Sequence, residues 1–245
     1  MPGILLTRSL RLAPVLLATM ALVAATTLLG PTEAMGQRIT SPYRFVDTRH
    51  EVSAFGGVLA ADAGRFNLGP QPGTLLGVRY SFDATGPLSL ESAVSVLDTD
   101  REVVDPRRVA GNRTIGETPM RLATVDGRLR LTFTGQRTWN WLSPHILAGG
   151  GVAWDMAGRG VLDEELLQDD RFNFGTSFVA VLGSGVRLVP TGEQVGLRAD
   201  FLWNLWKVAT PPGFRTYEEQ DLAEAPDGEW LSAPGISVSL GIRFR

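Results

Sequence analysis

The sequence predicts an all-β fold: an eight-stranded, antiparallel, up-and-down transmembrane β-barrel preceded by a cleaved signal peptide. Three observations predict it. Segments of alternating hydrophobicity recur from about residue 50 to the end, and the gaps between them run long, short, long, short. The polar face of these segments carries charges of both signs in mid-strand. Aromatic residues gather near the segment ends, where the two interfacial girdles of a membrane barrel lie.

The chain divides into three parts. Residues 1–36 read as an export signal: Arg8 and Arg11 precede an apolar run from Ala13 to Gly30, closed by small residues and Pro31. Cleavage is expected between Ala34 and Gln37. The run is also about long enough to act as a retained anchor helix, which is the competing reading. Residues 37–49 are polar and read as a periplasmic lead-in. Residues 50–245 read as one barrel domain.

Eight strands are predicted in the barrel. The first is about Glu51 to Ala60, with Gly56-Gly57 blurring its alternation so that its facing stays undecided. A loop rich in Gly and Pro follows, from Gly64 to Gly73. Thr74 to Phe82 alternates cleanly, Leu76, Val78, Tyr80 and Phe82 against Gly77, Arg79 and Ser81. A tight turn at Asp83–Pro87 leads to Leu88–Leu97, then a charged loop is expected from Asp98 to about Thr118. The fourth strand, about Met120 to Thr134, sets Val125, Leu129 and Leu131 against Asp126, Arg128 and Arg130. After a turn at Gly135-Gln136-Arg137 come Leu142–Asp155, a long loop with acids from Asp163 to Asp170, and Phe172–Val189. A turn at 190–194 precedes Val195 to about Lys207. A long loop with Pro211-Pro212 and an acidic stretch separates it from the last strand, Gly235–Arg245.

A period of two places each apolar set on one face of its strand. In a soluble sheet that face is buried; in a lipid-embedded barrel it points outward. The mid-strand charges favour the second. Arg79, Glu91, Asp126, Arg128, Arg130, Arg187, Arg198 and Asp200 are expected to line the lumen and to pair there, because buried ions are tolerable only when paired. Tyr80, Phe82, Phe133, Trp139, Trp141 and Phe244 are expected at the short-turn rim. Trp154, Phe174 and Trp203 are expected toward the long-loop rim.

Composition excludes several functions. A net charge of −3 gives no case for nucleic acid. With no cysteine there is no disulfide framework or thiolate metal site. Only two histidines, His50 and His145, argue against a histidine metal site, and no cofactor is expected. Asp98, Asp100, Glu102 and Asp105 resemble the start of a calcium loop, but Val103 stands where glycine is needed and no glutamate closes the loop. Gly183 and Gly185 lack the third glycine and the strand-to-helix setting of a nucleotide loop.

The chain also resembles the eight-stranded outer-membrane barrels of the OmpA, OmpX and OmpW type. The carriers are the signal segment, the strand Leu147-Ala148-Gly149-Gly150-Gly151-Val152-Ala153-Trp154, and the ending Val238-Ser239-Leu240-Gly241-Ile242-Arg243-Phe244-Arg245. The resemblance implies the bacterial outer membrane, with termini in the periplasm and long loops outside. It implies outer-membrane lipid and lipopolysaccharide as surroundings. It also implies the barrel-assembly machinery as a partner during biogenesis, although Phe244 is penultimate where such barrels usually end on the aromatic residue. A wall-anchoring role through an OmpA-like peptidoglycan-binding module is not expected. Some barrels of this size are lipid-modifying hydrolases that use a His and a nearby Ser, but His145 falls near the short-turn end, away from the outer leaflet.

The expected role is that of a monomeric, non-enzymatic barrel with a salt-bridged lumen, structural or engaged in surface contact. A narrow passive pore is the first alternative. A lipid-modifying hydrolase or a soluble lipocalin-like binder is the second.

Overall fold

The computed structural model describes residues 41–109, 111–190, 194–216 and 226–245. The expected signal segment, residues 37–40 of the lead-in, residues 191–193 of the third short turn and the acidic stretch 217–225 lie outside the described residues. The described residues belong to one compact unit that begins at Ser41.

Ten strands are described in chain order: β1 (Tyr43–Phe45), β2 (His50–Leu59), β3 (Gly73–Thr85), β4 (Leu88–Val104), β5 (Thr114–Thr132), β6 (Arg137–Trp139), β7 (Leu142–Asp155), β8 (Thr176–Leu188), β9 (Val195–Ala209) and β10 (Gly228–Phe244). Two single-turn helices lie in the long connections, α1 (Val161–Glu164) and α2 (Gly213–Thr216). Eight strands close a ring in the order β7-β5-β4-β3-β2-β10-β9-β8, with β8 returning to β7. Every neighbouring pair in the ring is antiparallel. Closure gives each strand of the ring a partner on both sides, the condition for a strand fold to cross hydrocarbon. Among the described residues no helix is long and apolar enough to cross a membrane.

Alternation and facing agree. Leu129 and Phe201 are 56% and 47% exposed on the outer wall, while Arg128 and Asp200 are each 4% exposed within. The outer wall is apolar around the ring, from Val78 and Val94 through Val125, Val152 and Phe178, which sit in one register row. A soluble barrel buries this set, so the solvent facing this wall is not water.

Three expectations need correction. The stretch from Asp98 to Thr118 is mostly strand rather than loop: β4 runs on to Val104 and β5 starts at Thr114. Asp98 pairs with Arg121, Arg101 with Thr118 and Glu102 with Glu117, so the hairpin stands above its neighbours with charges on its walls. Its residues Asp98, Thr99, Asp100, Arg101 and Glu102 are polar on both faces, which is why apolar periodicity does not register it. Second, two short strands join the eight expected ones: β1, within the lead-in, pairs with β6, Tyr43 opposite Trp139. Third, β8 begins at Thr176, and Phe172 and Phe174 belong to the connection before it. Phe174 is buried at 4% exposure rather than interfacial, and packs edge-on against Trp206.

Candidate functional site

The lumen holds two stacked tiers. The tier toward the short turns is ionic. The eight predicted lumen charges, Arg79, Glu91, Asp126, Arg128, Arg130, Arg187, Arg198 and Asp200, are all no more than 5% exposed and are brought together there. Glu91 is the hub: its carboxylate accepts from Arg198 at 2.5 Å, Arg130 at 2.6 Å and the Ser81 hydroxyl at 3.2 Å. β4 and β9 stand on opposite sides of the ring, so the Glu91–Arg198 pair is a strut across the full lumen. Asp200 accepts from Arg198 at 2.8 Å, Arg79 at 3.1 Å and His145 Nε2 at 2.9 Å. Arg79 also donates to Ser239 at 2.8 Å and lies 5.4 Å from the Phe55 ring centre. Asp126 and Arg128, two residues apart on β5, form a two-armed pair.

Sequence reading misses part of this network. Asp83 accepts from Arg130 at 2.7 Å, Ser89 at 2.6 Å and Arg243 at 3.3 Å. Glu51 faces Arg187 at 3.4 Å and Arg243 at 3.3 Å. Asp83 looks like a turn residue, and Gly56-Gly57 masks the facing of Glu51. Arg243 lies on the polar side of the last strand, so its alternation is the signal that identifies it. His145 is buried, with Nδ1 3.3 Å from the Ser143 carbonyl oxygen and Nε2 on Asp200. This makes His145 a buried, hydrogen-bonded member of the tier.

Local sequence makes room for the ions. Gly149 and Gly151 on β7 face inward beside Arg128 and Asp126 on β5. A Cβ at either glycine would collide with the β5 backbone, so only glycine admits this approach at that point of the wall.

The second tier, toward the long loops, is apolar, and here the expectation of a polar lumen throughout is corrected. Leu59, Leu75, Leu97, Leu122, Val179, Leu202 and Trp206 turn inward and are buried. Loop residues Leu68, Phe172, Phe174 and Phe214 join the same cluster from above. Alternation identifies inward positions but not what fills them; near the mouth these strands are apolar on both faces. Each fully buried large aliphatic chain contributes about 1.5–3 kcal/mol, a stabilisation the ionic tier does not supply because desolvation offsets its Coulomb gain.

Above this tier the β7–β8 connection is latched down. Arg101 donates to Asp163 at 2.5 Å and lies 5.6 Å from the Phe172 ring centre. The same Asp163 oxygen accepts the Gly160 backbone N–H at 2.8 Å, which fixes the start of α1. Arg107 reaches Asp170 at 3.0 Å, and burial pushes the Asp170 carboxyl up from its ordinary range against the pull of that arginine. Arg101→Ala leaves Asp163 without its cation. Loss of one member of a buried pair costs about 3–5 kcal/mol. Tryptic cleavage after Arg159 or Arg171 is therefore expected to accelerate at least about 100-fold while the barrel itself stays folded; unchanged proteolysis would show that Arg101 does not hold the loop.

The predicted aromatics fall into groups. At the short-turn rim Tyr80, Phe133, Trp139, Trp141 and Phe244 are 41–64% exposed, and Phe82 is half-buried. His50 Nδ1 is 2.7 Å from the Tyr80 hydroxyl, and the His50 ring stacks on Phe244 at 5.4 Å, where first and last barrel strands meet. Toward the other rim Trp203 is 43% exposed and Trp154 half-buried. Trp230, not singled out from the sequence, is exposed there and meets Phe178 edge-on at 6.2 Å. Among the described residues no group of three or more His, Cys, Asp or Glu is arranged to hold a metal ion.

No family model matches the chain, and no curated protein matches it. Among solved structures it is similar to Neisserial surface protein A, at 12% identity and a TM-score of 0.49, over 80% of this chain and 97% of that one. It is similar to the outer membrane protein OprG from Pseudomonas aeruginosa, at 11% identity and a TM-score of 0.49, over 81% of this chain and 97% of that one. A major outer membrane protein from Thermus thermophilus aligns at 15% identity and a TM-score of 0.39, over 81% of this chain and all of that one. At these identities and TM-scores the likenesses assign neither a family nor a role.

Proposed function

We propose that the chain is a closed barrel of the bacterial outer membrane, structural or engaged in surface contact through its long-loop rim, and neither a pore nor an enzyme. The observation that carries this reading is the strut from Glu91 on β4 to Arg198 on the opposite wall, roofed by the apolar tier around Leu202 and Trp206. An ion moving along the axis meets a layer of paired charges and then a layer of packed apolar side chains, and neither offers it a hydration shell. The outward apolar wall supports the bilayer setting. Both barrel termini, His50 and Phe244, pair at the short-turn rim, which supports placing that rim in the periplasm. In this reading the interfacial aromatics sit at the headgroups, the assembly machinery is a partner in biogenesis only, and the barrel acts as a monomer.

Two measurements test it together. Purified protein is expected to need detergent and to migrate differently on gels before and after boiling. Reconstituted in planar bilayers, it is expected to give no discrete conductance steps. Steps of defined size would replace this reading with the narrow pore, and a protein soluble without detergent would replace it with the lipocalin-like binder.

A further inference from the structure

The junction between the two tiers contains an internal void. Its lining includes Asp126 and Arg128 from the ionic tier, Leu97, Leu202 and Trp206 from the apolar one, and the polar residues Ser95, Thr124 and Asn204. Its volume is about 10 Å³. That is at the lower end of the roughly 10–15 Å³ needed by one water-sized guest.

Two of the residues that line this void each carry a buried donor without a protein acceptor: Nη1 of Arg128 and the indole Nε1–H of Trp206. Arg128 is 4% and Trp206 2% exposed, so neither reaches bulk solvent. The other guanidinium nitrogens of Arg128 are spent on Asp126. An unmet buried donor costs about 1–3 kcal/mol, more when it is charged, and two on one void call for a shared acceptor. The charge count points the same way. Among the described residues of the lumen network, six arginines (Arg79, Arg128, Arg130, Arg187, Arg198 and Arg243) face five carboxylates (Glu51, Asp83, Glu91, Asp126 and Asp200). The cations therefore exceed the anions, and an acceptor beside Arg128 relieves that excess.

We infer that this void is a binding site for one small hydrogen-bond acceptor, held by Arg128 Nη1 and Trp206 Nε1–H, which joins the ionic tier to the apolar one. Water and chloride share the required chemistry. At about 10 Å³ the void matches a water, which relieves the donors, whereas chloride is larger and enters only if the lining gives, relieving the charge excess as well. The Asn204 amide, 7% exposed, supplies a third polar partner on the same wall.

The test is a high-resolution crystal structure of the detergent-solubilised full chain grown in sodium chloride, with data also collected at a long wavelength where chlorine scatters anomalously. Expected is one ordered peak within hydrogen-bond distance of both donors. An anomalous signal at that peak identifies chloride, and its absence identifies water; either supports the site. Trp206→Phe keeps the ring packing and removes the N–H, and the peak is expected to be lost from its map. The inference is overturned by a void without density in the wild type, by either donor found bonded to a protein acceptor, or by a peak unchanged in Trp206→Phe. The wild-type map decides the matter even if the variant does not fold.

Discussion

Replacing Glu91 by alanine is expected to be the most damaging single substitution on the inner wall. The side chain is fully buried and takes three hydrogen bonds from Arg198 and Arg130 besides that from Ser81. Its removal leaves two guanidinium groups facing each other across the lumen without the charge between them. Breaking a buried pair from one side costs about 3–5 kcal/mol, because the remaining ion stays desolvated. Here two arginines lose a partner, although Asp83 and Asp200 still hold Arg130 and Arg198, so the upper part of that range is expected. Urea titration of the barrel in lipid vesicles, read by gel migration of unboiled samples, measures it. Glu91→Gln keeps the shape and the acceptor oxygen and is expected to lose less. If Glu91→Ala were within about 0.5 kcal/mol of wild type, as a surface substitution is, the strut would not be a stabilising element.

Val94→Arg tests the outer wall, and its sign depends on the solvent. Val94 is 47% exposed and lies six residues from the start of β4, in the middle row of the apolar belt. An arginine on the lipid face of a barrel near mid-bilayer costs about 2–4 kcal/mol. On a wall facing water the same exchange falls within about 0.5 kcal/mol. Unfolding in vesicles is expected to show the larger loss, and the same exchange at Val109, 77% exposed on the β4–β5 connection, almost none. Equal small effects at both positions would mean that Val94 does not face hydrocarbon.

Much of the architecture is legible because a barrel wall obeys a local rule. Each strand must alternate, each charge on the polar side must face inward, and each short turn must reverse the chain. Strand β7 reads from the sequence with its observed limits, Leu142–Asp155, since hydrocarbon bounds it on one face and the lumen on the other. Where only water bounds a strand, the pattern weakens. The upper β4–β5 hairpin, with Asp98 opposite Arg121, is strand whose walls carry ion pairs rather than apolar alternation, and it reads as loop. Phe174 fails for the opposite reason: an aromatic near a strand end is equally suited to headgroups and to a capping cluster. The position of Trp206 beneath it, contributed by a strand distant in sequence, selects the second.

What the sequence determined by itself is the wall: eight strand segments and their order, the apolar outer face of all but the first, and the inward direction of Arg79, Glu91, Arg198 and Asp200. What only the tertiary structure decided is the filling. Whether Glu91 meets Arg198 across the axis, whether Asp83 and Glu51 join them, and whether apolar side chains fill the upper lumen depend on ring size and strand stagger. Those bring together residues more than a hundred positions apart. Alternation is a property of neighbours two residues away, whereas ion pairing and cavity filling are properties of closure, and closure exists only once the last strand has found the first.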